Sequence, residues 1–156
     1  MFNGPEIVDE FVRMGITHVI WIPDTTTGEW EPQLESAPFE LIRICREGEA
    51  WPLAAGLIVA GKNPIVMMQT TGLFESGDAL RNVVYDLQIP VFGIIGARNW
   101  LSPGSTDSAK RFAKPILDAW NVDYVVIETD EQKHRLVDHY STCRDKQQAG
   151  FVVLAE

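Results

Sequence analysis

The feature that most narrows the fold is a set of six short, apolar, β-branched runs spread along the whole chain. They are "HVIWIPD" (18–24), "FELIRIC" (39–45), "PIVMMQT" (64–70), "IPVFGIIGA" (89–97), "DYVVIE" (123–128) and "GFVVLAE" (150–156). Several are apolar almost throughout, as strands are when both faces of their sheet are covered. Segments with helical spacing separate them. "GPEIVDEFVRMG" repeats apolar residues at Ile7, Val8, Phe11, Val12 and Met14 and stops at Gly15, a residue suited to a helix C-terminus. "FESGDALRNVVYDL" puts Leu80, Val83, Val84 and Leu87 on one face, and "TDSAKRFAKPILDAW" and "DEQKHRLVDHYSTCRDKQ" follow the same logic. Strand then helix, repeated to the last residues, predicts a three-layer α/β/α fold. Its sheet is doubly wound, mostly parallel and six-stranded, in a single domain over 1–156.

Charge and composition remove several function classes. With 46% hydrophobic and 22% charged residues the chain is an ordinary globular sequence, and a net charge of −9 with scattered Lys and Arg gives no nucleic-acid footprint. Cys45 and Cys143 form no CxxC and no His/Cys ligand spacing, so no metal site is expected and a reducing, cytoplasmic setting is. "MFNGPEIVDEF" carries acids where a signal peptide carries bases, and "IPVFGIIGA" is too short to span a membrane.

In open parallel sheets, ligands bind beyond the carboxyl ends of the strands. The segments there are "PDTTTGEW", "REGEA", "QTTGLFESG" and "GARNWLSPGSTDS". In "CREGEAWPLAAGLIVAGK", Gly48 permits a sharp turn, and Pro52 is tolerated only in a first helical turn, so a helix begins near Gly48 or Glu49. Glu47 then projects with Ala50, Trp51 and Ala54, while Glu49 points elsewhere. Both acids also suit a helix N-terminus through its dipole, and on spacing alone that reading stands beside a functional one. Gln69, Thr70 and Thr71 close a strand and open a helix, where they either bind a ligand or merely cap a turn. Asp24 follows the first strand. Arg98 and Asp107 sit in a Pro/Gly/Ser loop able to contact an acidic or oxo-acid substrate. His18, His134 and His139 are dispersed and form no catalytic arrangement.

Taken in order, these motifs resemble a known family. Glu47-Gly48-x-Ala50-x-x-x-Ala54-Ala55-Gly56, then Ala60-Gly61-Lys62-x-Pro64, then Met68-Gln69-x-x-Gly72-Leu73, is similar to the pyrimidine-binding (PYR) domain of thiamine diphosphate enzymes. The branch it resembles most contains sulfopyruvate and phosphonopyruvate decarboxylases, to which "IPD" (22–24) and "PGSTDS" (103–108) also correspond. The resemblance implies that Glu47 is catalytic, contacting N1′ of the cofactor's aminopyrimidine and promoting its imino form. It also implies that Gln69, Thr70, Thr71 and Gly72 adjoin the cofactor, and that Asp24, Arg98 and Asp107 lie toward substrate. A partly desolvated carboxylate suits such a proton relay.

Two departures shape the expectation. The family holds diphosphate and a divalent metal through a GDG motif, which this sequence lacks. The implied arrangement is therefore a hetero-oligomer with paired PYR chains. In it, thiamine diphosphate is shared with a diphosphate-binding (PP) subunit that carries GDG and the Mg²⁺. The branch's His-Asp pair reads Thr106-Asp107, its Gln-Asn-Ser-Gly reads Gln-Thr-Thr-Gly, and Trp30, Trp51 and Trp100 are expected to reshape the pocket. A non-catalytic PYR-like scaffold or regulatory chain, and a stand-alone α/β binding module, are the alternatives.

Overall fold

The computed structural model describes residues 2–156. All six runs form strands, each shorter than its run: β1 (His18–Trp21), β2 (Glu40–Arg43), β3 (Pro64–Gln69), β4 (Phe92–Ala97), β5 (Asp123–Ile127) and β6 (Gly150–Ala155). They pair in the order β2-β1-β3-β4-β6-β5, and every neighbouring pair is parallel. The sheet expected to be mostly parallel is wholly so.

Parallel neighbours need crossovers, and helices supply them. They are α1 (Gly4–Arg13), α2 (Glu31–Glu35), α3 (Ala50–Val59), α4 (Thr70–Glu75), α5 (Gly77–Arg81), α6 (Ser108–Trp120) and α7 (Arg135–Asp145). The two-residue repeat of the strands divides the core in two. Val19, Trp21, Met67, Ile94, Val152 and Leu154 pack with α1, α2 and α7. Ile20, Val66, Met68, Ile95, Phe151 and Val153 pack with α3, α5 and α6. Apolar residues at consecutive positions are thus buried on opposite faces, which is why the runs do not alternate.

Local signals explain the helix ends. Asn3 and Glu6 form a reciprocal capping box at the start of α1, and Gly15 follows its end with φ +67°. A 3₁₀ turn over Glu47–Glu49 leads into α3, so that helix begins at Ala50 and Pro52 falls in its first turn. The buried side of α3 carries Ala50, Trp51, Ala54 and Ala55. Its thin far side faces outward: Val59 is 78% exposed, and a Cβ built at Gly56 meets no heavy atom within 4 Å.

Two expectations change. The helix expected over 74–87 is broken at Ser76 and ends in a π-helical turn over Asn82–Asp86, which leaves Leu87 exposed. Trp30 and Trp51 are fully buried core residues on opposite faces of the sheet. A buried indole N–H needs an acceptor. Trp30 Nε1 donates to the Phe2 carbonyl at 3.0 Å, and Trp51 Nε1 donates to Ser76 Oγ at 2.8 Å. Only Trp100 stays near the surface, donating to Glu128 Oε1 at 3.0 Å.

The Trp51–Ser76 bond ties α3 to the break between α4 and α5. Ser76→Ala strands the buried indole N–H, and the expected loss is about 1–3 kcal/mol in urea denaturation; an unchanged midpoint contradicts this role.

Candidate functional site

All carboxyl ends of a parallel sheet lie along one edge, so residues far apart in sequence meet there. Glu47 follows β2, and its side chain lies flat on Gly72 of α4. A Cβ at Gly72 would stand 2.5 Å from Glu47 Cγ and 2.9 Å from Oε1, closer than any side chain permits. The carboxylate is half-buried and makes no hydrogen bond among the described residues, whereas Glu49 is exposed. Glu47 and Glu49 thus differ in burial, although Glu47 lies in the 3₁₀ turn ahead of α3 and not on the helix itself.

The turn bearing Glu47 is gripped on both sides. Glu75, at the end of α4, accepts from Arg46 Nε at 3.1 Å and from Arg46 Nη2, while its other oxygen accepts from the Gly48 backbone N–H at 2.8 Å. The Arg46 guanidinium, with the Gly48 N–H second, holds the Glu75 carboxyl below its ordinary range. Neither Arg46 nor Glu75 stands out in the sequence. The available signal is the three-residue step from Gly72 to Glu75, which puts both on one helical face.

The next loops close over the edge. Asp24 Oδ1 accepts from the backbone N–H groups of Thr26 and Thr27, both at 2.8 Å, and its Oδ2 accepts from Thr27 Oγ1 at 2.9 Å. The same Thr27 hydroxyl accepts from buried Trp21 Nε1 at 2.9 Å. Gln69 Nε2 donates to Thr25 and Thr26 hydroxyls at 2.9 and 3.0 Å, joining the loops after β1 and β3. The Thr70 hydroxyl is buried and donates to the Gly96 carbonyl at 3.0 Å, whereas Thr71 is exposed.

Asp107 caps α6, accepting from Ala109 N–H at 2.9 Å, and its other oxygen takes Arg98 Nε at 3.0 Å and Asn99 Nδ2 at 2.8 Å. The Ala109 N–H first, then Asn99 and Arg98, draw its pKa down to about 2. Asp24 and Asp107 thus spend their oxygens within the chain. Among the described residues Arg98 is engaged through Nε alone, and its half-exposed side chain keeps its terminal nitrogens as donors.

A cleft of about 390 Å³ opens farther along the edge, lined by Thr25, Thr26, Leu101, Glu29, Glu128 and Glu156 among others. It does not include Glu47, and three carboxylates make it a poor place for an anion. At the opposite edge of the sheet, dispersed residues do meet. His139 Nε2 lies 3.6 Å from Cys143 Sγ and 3.3 Å from the Asp123 carbonyl, and the three side chains bring one ligand atom each within 4.8 Å of the others. Burial pushes the Cys143 thiol up, so it stays protonated, and the cluster ties α7 to β5. The His139–Cys143 step of four was legible as one helical face; Asp123 was not.

No protein-family model matches the chain. At 29% identity over 104 residues, it is similar to sulfopyruvate decarboxylase subunit alpha of Methanocaldococcus jannaschii; the match spans 65% of this chain and 61% of that one. Over 99% of its length it superposes on 30% of benzoylformate decarboxylase from Polynucleobacter necessarius, with TM-score 0.72 and 21% identity. The chain thus resembles the PYR domain of thiamine-diphosphate enzymes in fold and, more distantly, in sequence. Among the described residues no helix is long and apolar enough to cross a membrane.

The depressed Asp107 pKa has a testable sign. Its contribution to stability is fully present above the ordinary value of 3.8 and is lost as pH falls through about 2. Asn also caps helices, so Asp107→Asn keeps the cap and loses the charge. The stability advantage of the parent over the variant, measured by urea midpoints, should shrink from about pH 5 to about pH 2; a constant difference contradicts the assignment.

Proposed function

We propose that this chain is the PYR subunit of a two-chain, thiamine-diphosphate-dependent 2-oxo-acid decarboxylase of the sulfopyruvate or phosphonopyruvate type. The observation that carries the reading is the Glu47 carboxylate: half-buried, unpartnered among the described residues, and laid on Gly72 at the carboxyl edge of the sheet. A carboxylate so placed fits an aminopyrimidine, because it offers an acceptor for a ring N–H, and Gly72 gives the Glu47 side chain the room to lie at this edge. The chain has no motif for the diphosphate or its Mg²⁺, which the PP partner supplies.

When bound, thiamine diphosphate would supply the electron sink that decarboxylation requires. Glu47 holds or passes a proton at its carboxylate oxygen, and burial against the partner removes competing water from that contact. Gly72 lies beneath Glu47, and on this reading Gln69 and Thr71 adjoin the cofactor. Arg98, steered by Asp107 through Nε, offers its terminal nitrogens to the acidic group of the substrate. With a net charge of −9 and the nearby Arg46 already paired, this chain supplies little further positive charge, so the partner contributes to substrate binding. Two unpaired cysteines agree with a cytoplasmic setting.

One observation favours a non-catalytic PYR-like scaffold instead. The loop that departs from the decarboxylase branch at Thr106-Asp107 uses Asp107 as a helix cap.

Glu47→Gln separates the readings. In the complex with a GDG-bearing partner it should lower turnover and exchange of the cofactor's C2 proton about 10²-fold or more, with assembly unchanged by size-exclusion chromatography. A variant that turns over at the parent rate contradicts the role of Glu47. A parent complex that never exchanges the C2 proton supports the scaffold.

A further inference from the structure

We propose that Glu75 is a positioning residue for Glu47: one carboxylate clamps the residues on both sides of Glu47 and fixes where its side chain points. The inference rests on the reading of Glu47 given above and adds a residue that reading does not contain.

The geometry supports it from three directions. Arg46 has an extended backbone, and the 3₁₀ turn that follows has no side-chain cap of its own. Its Gly48 N–H is one of the orphan donors of a helix start. Glu75 Oε2 satisfies that donor at 2.8 Å, while Oε1 takes the Arg46 guanidinium. Within the turn, Glu49 N–H donates to the Arg46 carbonyl at 3.0 Å and closes residues 46–49 into one hydrogen-bonded turn. One helical turn before Glu75, Gly72 supplies the floor under the Glu47 side chain. A single short helix thus sets the surface on which Glu47 lies and bonds the Arg46 side chain before it and the Gly48 backbone N–H after it.

The energetics separate this role from a general structural one. The Arg46 side chain is 74% exposed and that of Glu75 33%, and exposed ion pairs add little to global stability. Losing the clamp should loosen the turn without unfolding the chain. Glu75, Glu49 and Glu47 all act on the Arg46 guanidinium, and of these Glu75 is the one hydrogen-bonded to it. The ion pair therefore keeps Glu75 from adding a third free carboxylate beside Glu47 and Glu49.

The test uses the full chain assembled with its PP partner, with Glu75→Ala, Glu75→Gln and Glu47→Gln side by side. Three quantities are read: amide hydrogen exchange of the 46–50 segment, thiamine diphosphate affinity by calorimetry, and kcat against KM. Glu75→Ala should speed exchange in that segment about tenfold and lower kcat about tenfold, with KM and cofactor affinity within about threefold of the parent. Glu75→Gln keeps a carbonyl acceptor for Gly48 and should recover part of both losses. Unchanged exchange in Glu75→Ala overturns the clamp. Faster exchange with parent kcat, in a complex that Glu47→Gln inactivates, overturns the positioning role. If Glu47→Gln itself keeps parent kcat, the reading of Glu47 is what fails, and exchange alone then decides whether the clamp exists.

Discussion

The constraint on which the rest of this structure depends is that all six strands run the same way. Parallel strands cannot be joined by tight hairpins, so each connection crosses a face of the sheet. That requirement covers both faces with helices, makes the strands apolar throughout, and brings every strand-to-helix turn to one edge. Residues as distant as Asp24, Glu47, Gly72 and Asp107 share that edge because the strands preceding them are parallel. Helix placement changes face between α2 and α3, on either side of β2, and the loops after β1 and β3 meet where Gln69 reaches Thr25 and Thr26. Such a reversal is where open α/β sheets form their crevices.

Along that edge the polar groups fall into two kinds. Asp24 and Asp107 spend their hydrogen-bonding capacity on the loops that carry them, and Thr70 donates to the neighbouring strand β4. Glu47 does not. Its neighbours have been made small, with Gly72 beneath it and Gly48 beside it, and the stabilising contacts go to the turn instead of the carboxylate. A polar group left without a partner while its surroundings are firmly bonded is available for an external ligand. The half-buried site on an open edge also agrees with a cofactor shared between chains, since this chain encloses only one side of it.

Much of this was legible in the residues. The strand runs, the all-round apolar character and the Gly15 stop predict the sheet and its covering, because they reflect local periodicity and backbone conformation. Helical facing separates Glu47 from Glu49, and the family resemblance supplies the choice between them. Other features were not legible because they depend on which side chains meet across the fold. Trp30 and Trp51 fall near the candidate loops in sequence, yet each finds a buried acceptor, Phe2 and Ser76, that only the packing supplies. Asp107 reads equally as a ligand contact or a helix cap until Ala109, Asn99 and Arg98 are seen around it. Glu75 looks like a solvated helix residue, and its partners Arg46 and Gly48 lie 29 and 27 positions away. His139, Cys143 and Asp123 join α7 to β5 for the same reason.

The central claim is that Glu47 is one half of a cofactor site completed by another chain. The most direct measurement is calorimetric titration of thiamine diphosphate and Mg²⁺ into this chain, into a diphosphate-binding partner carrying Gly-Asp-Gly, and into their mixture. The account predicts binding by the mixture and by neither chain alone. Full-affinity binding by the partner alone, unchanged on adding this chain, would contradict it.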